Sequence, residues 1–349
     1  IYLTPFPSDV GMIMKEESWS LPAWADQATA IMNGWSLAYV DTDHHVTAIG
    51  ASLLPKLVGN TLHWTSAATL GDKGMDDEVS ACIYFTLLAW NSAEIDAKAT
   101  PVDPALDNVA SLDPESWSAI GTGGTQVRYA ASEPGFNLAE PTAVLPRGFV
   151  LASEFEPDDD DHVFQLGHAV SQVTSLSLVS QAAWTATGLI RDNDPMRTFV
   201  SSPVTLLRGK GVDVIDGQFE IRDRQPMCTF WTWGGCIGPG ENSGPVHNDP
   251  LRETFQVRSD DGAYLIPMLT GFDLSFATDD QHFRWAMAAI DDISFDIESG
   301  TLDYRVSTAL RDKNGKPGYR VQHDVDILVL RRSQGGSLNP GDVVISSGQ

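Results

Sequence analysis

Three short acidic turns carry the side chains best suited to chemistry: Asp43-His44-His45-Val46, Asp160-Asp161-His162-Val163 and Asp280-Gln281-His282-Phe283. A carboxylate and an imidazole two residues apart in one loop could hold a divalent cation or a polar ligand. The second turn adds Asp158, Asp159 and Asp161, and hard cations such as Ca2+ want several oxygen ligands. The competing reading is structural and weighs more. An Asp ahead of a strand caps the turn by accepting backbone N–H bonds, and the His packs where the strand begins. His45, His162 and His282 therefore stand as ligand candidates. Asp43, Asp158, Asp160 and Asp280 stand as the metal candidates, with Ca2+ the single cofactor in view.

A second cluster, Phe230-Trp231-Thr232-Trp233-Gly234-Gly235, sets aromatics on a glycine-rich loop. Phe230, Trp231 and Trp233 could stack on a sugar, form a subunit contact, or plug a junction between domains. Cys228 and Cys236 bracket this loop and could close a small disulfide in an oxidising compartment. The third cysteine, Cys82, lies in an apolar run and reads as a buried thiol. Hydrolase, zinc-protease, phosphate-loop and dinucleotide signatures are all missing from the sequence.

The elements that would position these residues recur three times. Each copy opens on glycine, aromatic, any residue, leucine: Gly34-Trp35-Ser36-Leu37, Gly148-Phe149-Val150-Leu151 and Gly271-Phe272-Asp273-Leu274. The Asp-x-His turn follows. Next comes an aromatic, then Leu or Ile, then Asp: Trp64/Leu70/Asp72, Trp184/Ile190/Asp192 and Tyr304/Leu310/Asp312. The three closing Asp residues stand at 120-residue intervals and read as turn residues rather than a catalytic set.

Within a copy the hydrophobic period is two. Leu302, Tyr304, Val306, Thr308 and Leu310 share one face, and after each His come Ile49/Ala51/Leu53, Leu166/His168/Val170 and Ala286/Ala288/Ile290. Trp64, Trp184 and Tyr304 then read as core. Gln126-Val127-Arg128 and Gln256-Val257-Arg258 look like a shared first strand with no counterpart in copy one. A helical period surfaces only faintly near Trp24 to Ile31. The expected fold is all-β: three tandem antiparallel β-sandwich repeats with pseudo-threefold character, over 1–95, 119–212 and 245–335. Stretches 96–118 and 213–244 read as linker or insert, and 336–349 as a tail.

The third copy resembles the H-type lectin domain through Leu269-Thr270-Gly271-Phe272-Asp273-Leu274, its acidic turn, its alternating strands, and Thr308-Ala309-Leu310-Arg311-Asp312 before an apolar last strand. The resemblance implies a small six-stranded sandwich that trimerises and binds galactose-type sugars between subunits. Three copies on one chain would be a covalent version of that trimer. The family's penultimate-strand tryptophan is Leu or Ile here, at Leu70, Ile190 and Leu310.

The 349 residues carry a formal charge of −25, which repels nucleic-acid phosphates and anionic lipid. The apolar runs are too short for a membrane-spanning helix. The expectation is a non-enzymatic structural subunit of an extracellular or surface assembly such as a filament, shell or tube. Its partner would be itself, with glycans the other candidate, and no nucleic acid or membrane insertion. A secreted lectin using inter-domain clefts is the alternative, and a hydrolase with a carboxylate pair the third reading.

Overall fold

The computed structural model describes residues 12–39, 46–71, 79–102, 110–112, 125–131, 140–153, 165–172, 174–175, 182–191, 198–215, 220–224, 231–232, 235–236, 251–259, 263–276, 283–311, 319–332 and 343–348. These residues contain strands and no helix. The first part of the chain gives β1 (Met12–Ser20), β2 (Gln27–Tyr39), β3 (Ala48–Val58), β4 (Thr61–Gly71), β5 (Val79–Trp90), β6 (Lys98–Val102) and β7 (Ala110–Leu112). The middle gives β8 (Thr125–Ala131), β9 (Thr142–Pro146), β10 (Gly148–Ser153), β11 (Gln165–Val170), β12 (Thr174–Ser175), β13 (Ala182–Arg191), β14 (Thr198–Ser201), β15 (Val204–Arg208), β16 (Val212–Ile215) and β17 (Glu220–Arg224). Then follow β18 (Trp231–Thr232), β19 (Gly235–Cys236), β20 (Leu251–Arg258), β21 (Tyr264–Phe276), β22 (Trp285–Asp296), β23 (Thr301–Arg311), β24 (Tyr319–Leu330) and β25 (Val343–Gly348).

Three large antiparallel sheets run in the orders β1-β4-β3-β10-β14, β16-β24-β21-β11-β13-β8-β7 and β20-β23-β22-β2-β5-β25, and a small one joins β6-β15-β9. Every large sheet mixes segments that the sequence separates. The strand after the first Asp-x-His turn, β3, pairs with β10; β11 pairs with β21; β22 pairs back with β2. The register is the same each time. Gly148 faces Ser52, Gly271 faces Ala169 and Gly34 faces Ala289. On the other edge of these strands Ile49 faces Leu70, Leu166 faces Ile190 and Ala286 faces Leu310.

The alternating pattern explains which face turns inward, since successive side chains leave a strand on opposite sides. Ile49, Ala51 and Leu53, Leu166, His168 and Val170, and Ala286, Ala288 and Ile290 are all buried. So are Trp64, Trp184 and Tyr304, in line with their reading as core. One large cluster joins these groups, and a second unites Ile31, Leu145 and Met268 with Leu88, Leu207 and Leu328.

Several sequence expectations need correcting. The faint helical period at Trp24 to Ile31 runs into β2, whose length and pairing with β5 override a weak local signal. Segment 1–95 does have a first strand: β1 docks on β4 as β8 does on β13 and β20 on β23, without sharing their Gln-Val-Arg. Linker-like composition concealed edge strands, because short polar strands at a sheet margin look like loops. β6 and β7 lie within 96–118, β17 within 213–244 and β25 within 336–349. Cys82 is exposed rather than buried, being on the outward parity of β5.

Candidate functional site

The three opening glycines stand at matching places in β2, β10 and β21. In β2 the ladder slips between Met32 and Gly34, and in β21 between Leu269 and Gly271; at the matching place Arg147 separates β9 from β10. Such a bulge adds a residue and re-aims the side chains beyond it. Gly34 and Gly148 accordingly sit at φ of 151° and 153°. A Cβ on Gly34 would lie 2.2 Å from Ala289 Cα, and one on Gly148 would lie 2.4 Å from the Ala51 carbonyl. Only glycine permits this approach.

The residue after each glycine turns inward, and the three meet. Ring centroids are 5.3 Å apart for Trp35–Phe149, 5.1 Å for Trp35–Phe272 and 5.0 Å for Phe149–Phe272. His168 joins them, 5.2 Å from Phe149 and 5.9 Å from Phe272. It sits opposite Phe272 in the ladder, where the other two junctions put Ala51 and Ala288. Its Nε2 lies 3.0 Å from Ser202 Oγ, whose hydroxyl donates to the Gly148 carbonyl at 3.4 Å. A serine and a histidine at this distance have the reach of a nucleophile and its base. Ser202 is 0 % exposed and His168 only 5 %, so both are closed off from solvent. Burial also pushes the imidazole down to about 3, leaving a neutral ring that serves packing and one hydrogen bond.

The residue before each glycine is polar and buried: Asn33, Arg147 and Thr270. Each finds a partner, as buried polar groups must. The Asn33 amide donates to the Thr86 hydroxyl, Arg147 Nη2 to the Val102 carbonyl at 3.0 Å, and the Thr270 hydroxyl to the Asp324 carbonyl at 3.3 Å.

A second polar group spans β9, β11, β21 and β24. Gln165 Nε2 donates to both carboxylate oxygens of Asp273 at 2.9 Å. Burial still pushes Asp273 up to about 6, against the lowering effect of that bond. Asp324 also rises to about 6, first through burial and then through the Asp326 charge. Gln172 ties the strands together by donating to Asp326 Oδ2 at 2.6 Å and accepting from Val144 N at 2.9 Å. Sequence reasoning quoted Asp273 and His168 only as strand positions and named none of these residues as a site. A Gln, an Asp or a His in an alternating strand has no signature until register brings its neighbours beside it.

His45, His162, His282, Asp43, Asp158, Asp160 and Asp280 lie outside the described residues, as do Phe230, Trp233 and Cys228. Trp231 and Cys236 are backbone partners in the β18–β19 ladder. Among the described residues no group of three His, Cys, Asp or Glu side chains could hold a metal ion. The described site is thus a buried aromatic centre with polar bulge residues around it. The chain matches no family model, no curated protein and no solved structure.

Proposed function

We propose that the chain is a non-enzymatic structural subunit of an extracellular or surface assembly, built as a pseudo-threefold unit of three tandem β copies. One observation carries this reading: the copies exchange strands in a closed cycle. Each lends the strand after its Asp-x-His turn to the next, in one register, and the third returns to the first. Trp35, Phe149 and Phe272, the matched aromatics of the three copies, then pack on one another, as equivalent residues do around an axis. The H-type lectin likeness of copy three fits the same picture of a trimer made covalent.

The point where the copies converge is filled by rings, which favours a load-carrying body over a cleft. The lectin reading loses its matched aromatics, since Trp64, Trp184 and Tyr304 are buried, and rests on the Phe230–Trp233 loop alone. Threefold modules present related edges in several directions and so suit repeated contacts between copies.

Sedimentation velocity and negative-stain microscopy over a wide concentration range test the proposal. Regular, concentration-dependent assemblies are the expected result. A 37.8 kDa monomer throughout would overturn it, and a strong hit on a glycan array would favour the lectin instead.

A further inference from the structure

Three strands occupy the same place in their sheets: β1 on β4, β8 on β13 and β20 on β23. In the middle copy the outer edge of this strand is occupied, because β7 pairs antiparallel with β8 through Ala110–Arg128, Ser111–Val127 and Leu112–Gln126. This position in the fold therefore accepts one more strand. In the other two copies β1 and β20 end their sheets, and no strand lies beside them among the described residues. Both are long for open edges, at nine and eight residues. An edge of that length offers a row of backbone donors and acceptors that pairs readily with another chain. Ile13 and Met14 on β1 are each 44 % exposed and leave the strand on opposite faces, so both sides of this edge carry apolar surface.

We infer that β1 of one molecule pairs antiparallel with β20 of a second copy, extending two sheets into one across the contact. The inference rests on the assembly reading above and names its interface. The side chains select both partner and register. With Glu16 opposite Arg252, Ile13 falls opposite Phe255, and no like charges face each other over 13–17 against 251–255. Opposite charges in direct cross-strand pairs stabilise a ladder, and like charges oppose it. The faces also agree. Trp19 on β1 and Phe255 and Val257 on β20 pack against the core, so by strand parity Ile13 and Phe255 fall on one side of the joined sheet and Glu16 and Arg252 on the other. Neither strand matches itself as well. Pairing β1 with β1 so that Lys15 meets Glu17 sets Glu16 against its own copy, and pairing β20 with β20 about Phe255 sets Arg252 against Arg258. Because the two edges belong to different sheets, the contact is head-to-tail and propagates as a ring or a filament.

Charge reversal in the full chain tests this, with sedimentation velocity as the readout. Glu16→Arg and Arg252→Glu alter exposed positions. Each alone should weaken assembly roughly three- to tenfold, and the double variant should recover the parent's behaviour. If the parent assembles while the double shows no recovery, the edge pairing is overturned and the assembly reading stands. A parent that never assembles overturns both. Should a reversal variant fail to fold, Met14→Cys with Thr254→Cys in a Cys82→Ser background decides the matter, with the Cys82→Ser parent and each single-cysteine variant as controls for linkage through Cys228 or Cys236. A reducible ladder of oligomers supports the pairing, and a monomer band alone overturns it.

Discussion

Adding one methyl group to Gly148 should damage this protein far more than its size suggests. Its φ of 153° is poorly suited to an L side chain, a strain of about 1–3 kcal/mol. The new Cβ would also stand 2.4 Å from the Ala51 carbonyl and 2.6 Å from Ser52 Cα, both backbone atoms. Relief requires β10 and β3 to part by about 1 Å, giving up two or three ladder bonds worth about 1 kcal/mol each. The expected loss for Gly148→Ala is therefore about 3–6 kcal/mol. A cooperative unit of 349 residues loses about 1.4 °C per kcal/mol, so Tm should fall by about 4–8 °C. Gly34→Ala should cost about as much, since its Cβ meets Ala289 Cα at 2.2 Å from the same backbone geometry. Two controls separate the causes. Gly59 has φ of 59° but open space around it, so Gly59→Ala should show backbone strain alone. Gly271 meets first the Asp324 carboxylate at 2.8 Å, a side chain that can swing away, so Gly271→Ala should be milder. Urea unfolding followed by tryptophan fluorescence reads all four. If Gly148→Ala costs no more than Gly59→Ala, the close-approach argument fails.

Other outcomes follow from the same geometry. His168 is held at about 3 against an ordinary 6.5, so the unfolded chain takes up its proton first. The neutral ring's contribution is complete above 6.5 and is lost as pH falls toward 3, and His168→Ala should flatten that part of a denaturation series against pH. Asp273 and Asp324 act with the opposite sign. Their raised values mean that stability present below the usual carboxylate range is lost as pH rises through about 6, so Asp324→Asn should reduce the loss at pH 7 and above. Residues 119–212 expressed alone should not form a folded monomer, because β10 and β11 find partners in β3 and β21; a monomeric fold by light scattering would contradict the shared-sheet architecture. A thiol titration of the native protein should find Cys82 reactive at once. If Cys228 and Cys236 are joined, denaturation without reductant should release no second thiol.

Much of the body was legible because burial in a strand leaves a mark at every second residue. Leu302, Tyr304 and Val306, or Ile49, Ala51 and Leu53, declare their inner face in the sequence, and the structure buries them all. The edges were not legible in the same way. β1 and β6 bury little on either side, so selection leaves no alternation to read. The polar groups inside were equally silent. Gln165 and Asp273 are 108 residues apart, and Gln172 and Asp326 are 154 apart, so only the register of paired strands makes neighbours of them.

The sequence by itself determined that the chain is all-β, and it marked matched glycines, aromatics and Asp turns in three places. Local chemistry is enough for that, since the pleat alternates faces and a crowded backbone demands glycine. Only the tertiary structure decided that the strands marked off as separate sandwiches are shared between neighbours, in a cycle that brings Trp35, Phe149 and Phe272 together. A β-strand states which face it buries but not which strand lies beside it. The partner is chosen by whole-sheet register and by the shape of the core, and neither is a property of any single segment.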